Sequence, residues 1–336
     1  MSAVVSGARL PQAPPAADPT PCLIVNPRSF AASRSSMAAR AAALARSYGI
    51  EVIEAQEPVA LAAALDGLAV RGRQRIFLLA GDGTVHAAAE HLARRSGAER
   101  LPEILLLGGG RTNLIPGDLG ARGSALKRLE AALARWRAGE AFEVEERFTL
   151  KVEQGPAAPR HGFFIAAGVV DSIIRACHRT HSSGPGLLRE GHLGTAWTLL
   201  RLAVRGMGRG RSFPLHALEV DVPGAGVLPG PARLLIATTL QRRQGLLDPY
   251  ADRGEGGVRV TAVAARGRSF WGLLPRMAAG LFAHQMSAER GYLSGRCHGL
   301  SVLGLSSYTL DGEEFEADPA RPVMIGEGRR LRFLKP

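Results

Sequence analysis

Lysine is nearly absent from this 336-residue chain. Lys127, Lys151 and Lys335 are the only three, so arginine supplies almost all of the 42 basic residues that outweigh 30 acidic ones, for a formal charge of +12. A basic balance favours anionic partners without naming them, and a genome that writes Arg for Lys accounts for part of the bias. A nucleic-acid module is not expected, because no basic stripe interleaved with aromatics and no known reading motif occurs. Cysteine is scarce as well: Cys22, Cys177 and Cys297 are odd in number and far apart, without Cys-x-x-Cys or zinc-type spacing. That excludes a disulfide framework and points to a reducing compartment. Long apolar runs are missing, and no window approaches the roughly 18 residues that a spanning helix needs. Any membrane contact is therefore expected to be peripheral. Residues 1–20, rich in Ala and Pro, lack the basic start and apolar core of a secretion signal and read as a loose tail. A cytoplasmic protein is the expectation. Three nucleotide-binding signatures are absent too: Gly-x-x-x-x-Gly-Lys-Ser/Thr, Gly-x-Gly-x-x-Gly and the protein-kinase set.

What is present is a chain long enough for two domains. From Cys22 onward, short β-like runs at 22–25, 50–53, 75–80 and 104–107 alternate with Ala- and Leu-rich helical stretches such as 35–48. This is the pattern of a parallel sheet covered by helices, and it assigns residues 21–140 to an α/β domain. A helix over 124–137 opens on a capping-type Ser124 and closes near Gly139. Beyond it the spacing changes to strands separated by Gly and Pro, at 148–152, 163–167, 215–222, 234–239, 258–264 and 301–310. Residues 141–336 therefore read as a mostly antiparallel β-sandwich, interrupted by helices at 193–204 and 269–286.

The most informative stretch is Ala80-Gly81-Asp82-Gly83-Thr84, which follows an apolar strand and precedes a helical run, 85–95. A strand that turns through glycines into a helix N-terminus presents backbone N–H groups and a positive helix end to phosphate oxygens. The same letters also describe an ordinary turn capped by Thr84. A second loop, Gly108-Gly109-Gly110-Arg111-Thr112-Asn113, follows the next strand, and Asn26-Pro27-Arg28-Ser29 follows the first. Turns at the carboxyl ends of neighbouring parallel strands converge where open α/β sheets bind ligands.

Taken together, these motifs resemble the diacylglycerol kinase catalytic-domain superfamily, which includes bacterial diacylglycerol kinases and sphingosine kinase-like lipid kinases. Asn26 to Ser29 is similar to its Asn-Pro-x-Ser-Gly turn, Ala80 to Thr84 to its Gly-Gly-Asp-Gly-Thr loop, and Gly110 to Asn113 to its Gly-Thr-x-Asn segment. Near the C-terminus, Leu310-Asp311-Gly312-Glu313 resembles its Asp-Gly-Glu motif. The four occur in the family's order. The resemblance implies a Rossmann-like first domain of the NAD kinase and diacylglycerol kinase type and an ATP-dependent phosphotransferase acting on a lipid hydroxyl. ATP with Mg2+ would lie on Asn26, Gly81, Asp82, Gly83, Thr84, Gly110, Arg111, Thr112 and Asn113, with His86 over the nucleotide or on the helix surface. Phosphoryl transfer to a hydroxyl needs a proton acceptor. By resemblance that is Glu313, with Asp82 either the rival base or the holder of the magnesium. The turn at Asp252 to Gly257 resembles one that holds a structural magnesium, which carries over to Glu255 with the carbonyls of Asp252 and Gly257. A Gly-rich hairpin is the other reading of that turn.

The match has departures: Ala80 stands for the first glycine, Phe30 for the glycine after Ser29, and Arg111 for threonine. A guanidinium can grip phosphate through a charged fork, or it can mark altered activity. The basic stretch 175–211, with Trp197 and Met207, faces an anionic membrane surface or is a packed helix with extended arginines. Expected partners are a lipid substrate at such a surface and at most a second copy of the chain in a homodimer. Other small-molecule kinases with the Gly-Asp-Gly loop, and a degenerate nucleotide- or lipid-binding relative, are the competing readings.

Overall fold

The structure, a computed structural model of the chain, describes residues 18–29, 36–95, 101–110, 113–121, 123–172, 174–175, 218–228, 231–241, 248–265, 270–282 and 286–335. Arg111, Thr112, the expected helix at 193–204 and the basic stretch beyond Arg175 lie outside them.

The first half is a doubly wound α/β layer. Strands β1 (Asp18–Val25), β2 (Glu51–Glu54), β3 (Arg73–Ala80) and β4 (Glu103–Gly108) are parallel, in the spatial order β2-β1-β3-β4. Their near-continuous apolar runs are those of strands covered on both faces. Alternate side chains serve opposite layers, as the two-residue period of a strand requires. Ile24, Ile76, Leu78 and Leu106 pack against helices α2 (Pro58–Val70) and α3 (Asp82–Arg94). Leu23, Phe77, Leu79 and Leu105 pack against α1 (Met37–Ser47) and α5 (Ala125–Arg137). The helices bury matching stripes: α2 opens on Pro58 and buries Leu61, Leu65 and Leu68. Helix α5 follows Ser124, buries Leu129, Ala132 and Leu133, and stops at Gly139, whose φ of +72° suits a C-terminal cap. The short α4 (Leu114–Asp118) joins β4 to α5.

The second half is antiparallel, as its spacing predicts. A six-stranded sheet runs in the order β12 (Tyr292–Cys297), β11 (Val258–Ala264), β10 (Ala232–Thr238), β7 (Phe164–Gly168), β14 (Ser307–Leu310), β15 (Glu313–Glu316). It packs through Ile165, Leu235, Val260 and Leu310 against an extension of the first sheet. That extension contains β5 (Glu143–Glu153), β6 (Arg160–Gly162), β8 (Glu219–Val222), β9 (Gly226–Val227), β13 (Gly299–Leu303) and β16 (Val323–Lys335).

Strands β6, β9, β12 and β15 and helix α4 lie where no element is expected, and three further differences are informative. The strand expected at 301–310 is two, because Gly304 adopts φ +85° and lets the chain pass from the large sheet (β13) to the smaller one (β14). The helix expected at 269–286 is the shorter α6 (Phe270–Ala278), followed by Gly280 at φ +73°. Strand β16, in which Arg329, Arg330 and Arg332 interrupt the apolar positions, carries no simple alternation and was not expected. It is nevertheless the splice between the halves: one edge pairs with β5 from Met324 to Lys335, and the other pairs with β13 at residues 323–326 and parallel with β4 at Arg332 and Phe333.

Candidate active site

The register of the parallel strands sets the geometry. Val25 lies beside Leu79, and Ala80 beside Gly108, so the turns after β1, β3 and β4 open at one level on one edge of the sheet. Asn26 ties the first turn to the second: its backbone N–H donates to the Leu79 carbonyl at 3.0 Å and its Nδ2 to Thr84 Oγ1 at 2.8 Å. Its own Oδ1 accepts from the Arg28 N–H at 2.9 Å, and the Ser29 hydroxyl donates to its carbonyl at 2.9 Å. Helix α3 starts at Asp82, with Gly81 as N-cap, earlier than the expected 85. Thr84 therefore lies within the first turn, where its hydroxyl meets Asn26 and does not cap the helix.

The second and third turns meet backbone to backbone. A Cβ placed on Gly110 would sit 2.8 Å from Gly81 Cα and 3.2 Å from Asn113 Oδ1, so only glycine permits this approach. Asn113, at φ +46°, closes its loop by accepting from the Gly110 N–H at 2.8 Å and donating to the Gly110 carbonyl at 3.1 Å. A left-handed Asn is among the few non-glycine residues that tolerate this conformation. Asp82, partly exposed, accepts from the Ile115 N–H at 3.3 Å, which links the starts of α3 and α4. Asn26, Gly81, Asp82, Gly83, Thr84, Gly110 and Asn113 thus form one floor at the positive end of a 13-residue helix. The Ala80 methyl is fully buried in the core beneath the loop, so this departure from the glycine pattern leaves the floor unobstructed.

The C-terminal acidic motif reaches the helix that starts at this floor. Asp311 and Gly312 have φ of +51° and +96° and join β14 to β15, the Asp-Gly signature of a tight hairpin turn. The Asp311 carboxylate, 2% exposed, accepts from the N–H groups of Phe163 at 3.0 Å and Phe164 at 2.8 Å. It also accepts from His86 Nδ1 at 2.9 Å, a contact spanning 225 residues of sequence. Glu313 opens β15 on the exposed side of the turn. The expectation for His86 is corrected here: being one turn into α3, it is buried under the hairpin, lying neither over the nucleotide floor nor on the helix surface. Burial opposes its charge, but the hydrogen bond and charge of Asp311, reinforced by Glu90 and Glu313, outweigh that, so its pKa is raised.

A clamp that no sequence signal disclosed steadies the hairpin. Asp171, buried in the helical turn after β7, accepts from Arg175 Nε at 3.0 Å, from the Ser307 hydroxyl at 2.9 Å and from the Thr309 hydroxyl. The same guanidinium donates to the carbonyls of Phe315 at 2.8 Å and Tyr308 at 3.3 Å, and to Glu316 at 2.9 Å. One arginine therefore bridges both strands of the hairpin that carries Glu313. Spacing could not reveal the bridge: Asp171 lies four residues before Arg175, but the hairpin partners lie more than 130 residues away.

At the turn 252–257 the structure shows protein partners on the Asp252 side chain and on the Gly257 carbonyl. Arg296 Nε already donates to Asp252 at 3.0 Å, and its Nη1 donates to Gln241 Oε1 at 2.8 Å. Gln241 Nε2 in turn donates to the Gly257 carbonyl at 3.3 Å. Glu255 is exposed, and among the described residues no three carboxylate, imidazole or thiol groups converge on a metal position. The cationic partner of this turn is a guanidinium. The same chain of contacts continues to the first half, where the buried Asp118 of α4 accepts from the Gln241 N–H at 2.9 Å and pairs with Arg147 at 3.2 Å.

Comparison with known proteins agrees with this architecture. Residues 20–143 match the family model of the diacylglycerol kinase catalytic domain. No curated protein matches the chain. Among solved structures, a candidate diacylglycerol kinase from Bacillus anthracis strain Sterne aligns at TM-score 0.66 with 15% identity, covering 96% of this chain and 97% of the other. A diacylglycerol kinase from the same strain aligns at TM-score 0.60 with 12% identity over 94% and 97%. At such identities the likeness is one of fold, and it spans both halves. No helix among the described residues is long and apolar enough to cross a membrane.

Proposed function

We propose, with the diacylglycerol kinase catalytic domain matched over residues 20–143 as premise, that this chain is a lipid kinase that transfers the γ-phosphate of ATP to a lipid hydroxyl. The observation that carries the reading is the docking of the acidic hairpin, through Asp311, onto His86 at the start of the helix whose N-terminus forms the glycine floor. That docking sets the hairpin carrying Glu313 against the helix that begins at the glycine floor, although their sequences lie far apart.

In this reading the backbone N–H groups at the start of α3, around Gly81 and Gly83, bind the phosphates of ATP, and the rigid Asn26–Thr84 and Gly110–Asn113 contacts fix the loops that hold them. Rigid placement is the larger part of catalysis in phosphoryl transfer, where little covalent chemistry falls to the protein. Asp82, partly exposed at the edge of the floor, suits a magnesium ion that accompanies the nucleotide and neutralises phosphate charge. Glu313 takes the proton of the lipid hydroxyl. The lipid, of diacylglycerol or sphingoid type, is met at an anionic membrane surface by a peripherally associated, cytoplasmic protein.

The test is transfer of labelled γ-phosphate from Mg-ATP to a panel of lipids in mixed micelles, with wild type, Glu313→Ala and Asp82→Ala in parallel. Wild type is expected to label at least one lipid, with a loss of about 10²–10⁴-fold in Glu313→Ala, the range for removal of a general base. No labelled lipid, or full activity in Glu313→Ala, overturns the assignment.

A further inference from the structure

We infer that His86 is a positioning residue which, by holding Asp311, sets the orientation of Glu313 against the glycine floor without itself touching ATP or lipid. The kinetic half of this inference rests on the lipid-kinase reading; the structural half does not.

The argument starts from the turn. Asp311 is one of two non-glycine residues with positive φ among the described residues, and it carries the conformation at +51°. That conformation is at home in a tight Asp-Gly turn, and the surroundings fix where the turn sits. Here the surroundings are the N–H groups of Phe163 and Phe164 and the imidazole of His86, all on one buried carboxylate. An ionised carboxylate only accepts, so the imidazole must donate through Nδ1. Two of these three donors belong to the second half of the chain. His86 alone belongs to the α/β half, on the helix that begins at the glycine floor, so it is the element that registers the hairpin against the nucleotide site. Only Gly312 separates Asp311 from Glu313, so an anchor on the Asp311 carboxylate fixes the turn from which Glu313 projects.

The fit is close. A Cβ on Gly162 would lie 2.7 Å from Asp311 Oδ2 and 2.7 Å from Leu310 Cγ, so the strand beneath the turn is bare to admit it. His86 is 5% exposed, and the carboxylates that face it are Asp311 from the turn, Glu313 from β15 and Glu90 from its own helix. A buried imidazole bonded to Asp311, with the charges of Glu90 and Glu313 acting in the same sense, is suited to hold that hairpin as a cation. A histidine placed for nucleotide contact would lie open at the loop.

The experiment compares His86→Ala and His86→Gln with wild type, the second variant keeping a hydrogen-bond donor without a charge. Three readouts are taken: nucleotide Kd, lipid-kinase kcat against KM for ATP, and hydrogen exchange of segments 160–168 and 305–316. His86→Ala is expected to keep nucleotide Kd and KM within about twofold, lower kcat by roughly 10²-fold as for a displaced catalytic group, and speed exchange of the Phe163 and Phe164 amides. His86→Gln is expected to restore kcat to within about fivefold and to lack the alkaline decline expected of wild type as His86 loses its proton. A fall in nucleotide affinity in both variants would make His86 a nucleotide contact and overturn the inference. Unchanged exchange of both segments in His86→Ala would overturn it as well. Failure of wild type to phosphorylate any lipid would refute the lipid-kinase reading and leave the exchange result to decide the role of His86.

Discussion

Gly110→Ala tests the convergence of the glycine loops most directly. The added Cβ would lie 2.8 Å from Gly81 Cα, 3.2 Å from Asn113 Oδ1 and 3.4 Å from Asp82 N, whereas ordinary contact begins at about 3.4 Å. The nearest of these is backbone on the other loop, so relief requires the loops to part by roughly 0.6 Å. Overpacking of this kind costs about 1–3 kcal/mol. At about 2–4 °C per kcal/mol for a chain of this size class, the thermal midpoint is expected to fall by roughly 2–12 °C. The functional loss is expected to exceed the stability loss, because displacement of a binding floor by a fraction of an ångström weakens every phosphate contact together; nucleotide affinity should drop by about 10–100-fold. Gly67→Ala is the control: it lies inside α2 with nothing within 4 Å of its would-be Cβ, so it is expected to be neutral or to stabilise by about 0.5–1 kcal/mol. Calorimetry of the nucleotide complex and thermal melts of both variants check this. Wild-type affinity in Gly110→Ala would refute the claim that the two loops form one floor.

Further outcomes are expected elsewhere. Because the Asp252 turn is held by Arg296, chelation with EDTA is expected to leave the melting temperature of the nucleotide-free protein unchanged within about 1 °C, while Arg296→Ala lowers it; a chelator-induced drop of several degrees would restore the metal reading. Arg175→Ala leaves Asp171 buried with a lost cation, which costs roughly 3 kcal/mol. Thermal melts should show that cost, and lipid phosphorylation should fall while nucleotide binding persists. For His86, whose folded-state pKa is raised from 6.5, the contribution to stability is fully present below the ordinary imidazole pKa and is lost as pH rises through the folded value. The difference in melting temperature between wild type and His86→Gln is therefore expected to shrink as pH rises past neutrality, and a difference independent of pH would refute a charged His86.

Much of the fold is local in origin and could be read from the chain. The apolar runs 22–25, 75–80 and 104–107 need no partner to declare themselves strands, since parallel strands buried on both faces lose the polar alternation that complicates other strands. Glycine turns after those strands are equally local, because they arise from backbone conformation and close approach. For the same reason the Asp-Gly turn at 311–312 was legible as a strand end. Elements defined by partners were not legible. Strand β16 is held by three different neighbours, and its arginines mask its buried positions. The boundary expected near 140 falls between α5 and β5, yet β16 crosses it by returning to pair with β4.

The candidate site divides along the same line. Residue types and their order along the chain determined that a strand-to-helix glycine turn, a second glycine loop and a late Asp-Gly-Glu would be present, since each depends only on its immediate neighbours. Only the tertiary structure decided that Gly81 and Gly110 touch, that His86 turns inward to Asp311, that Arg175 spans the hairpin, and that Arg296 pairs with Asp252. Those outcomes depend on pairings between residues 29 to 225 positions apart. Such pairings are set by sheet register and layer packing, which no single stretch of sequence contains.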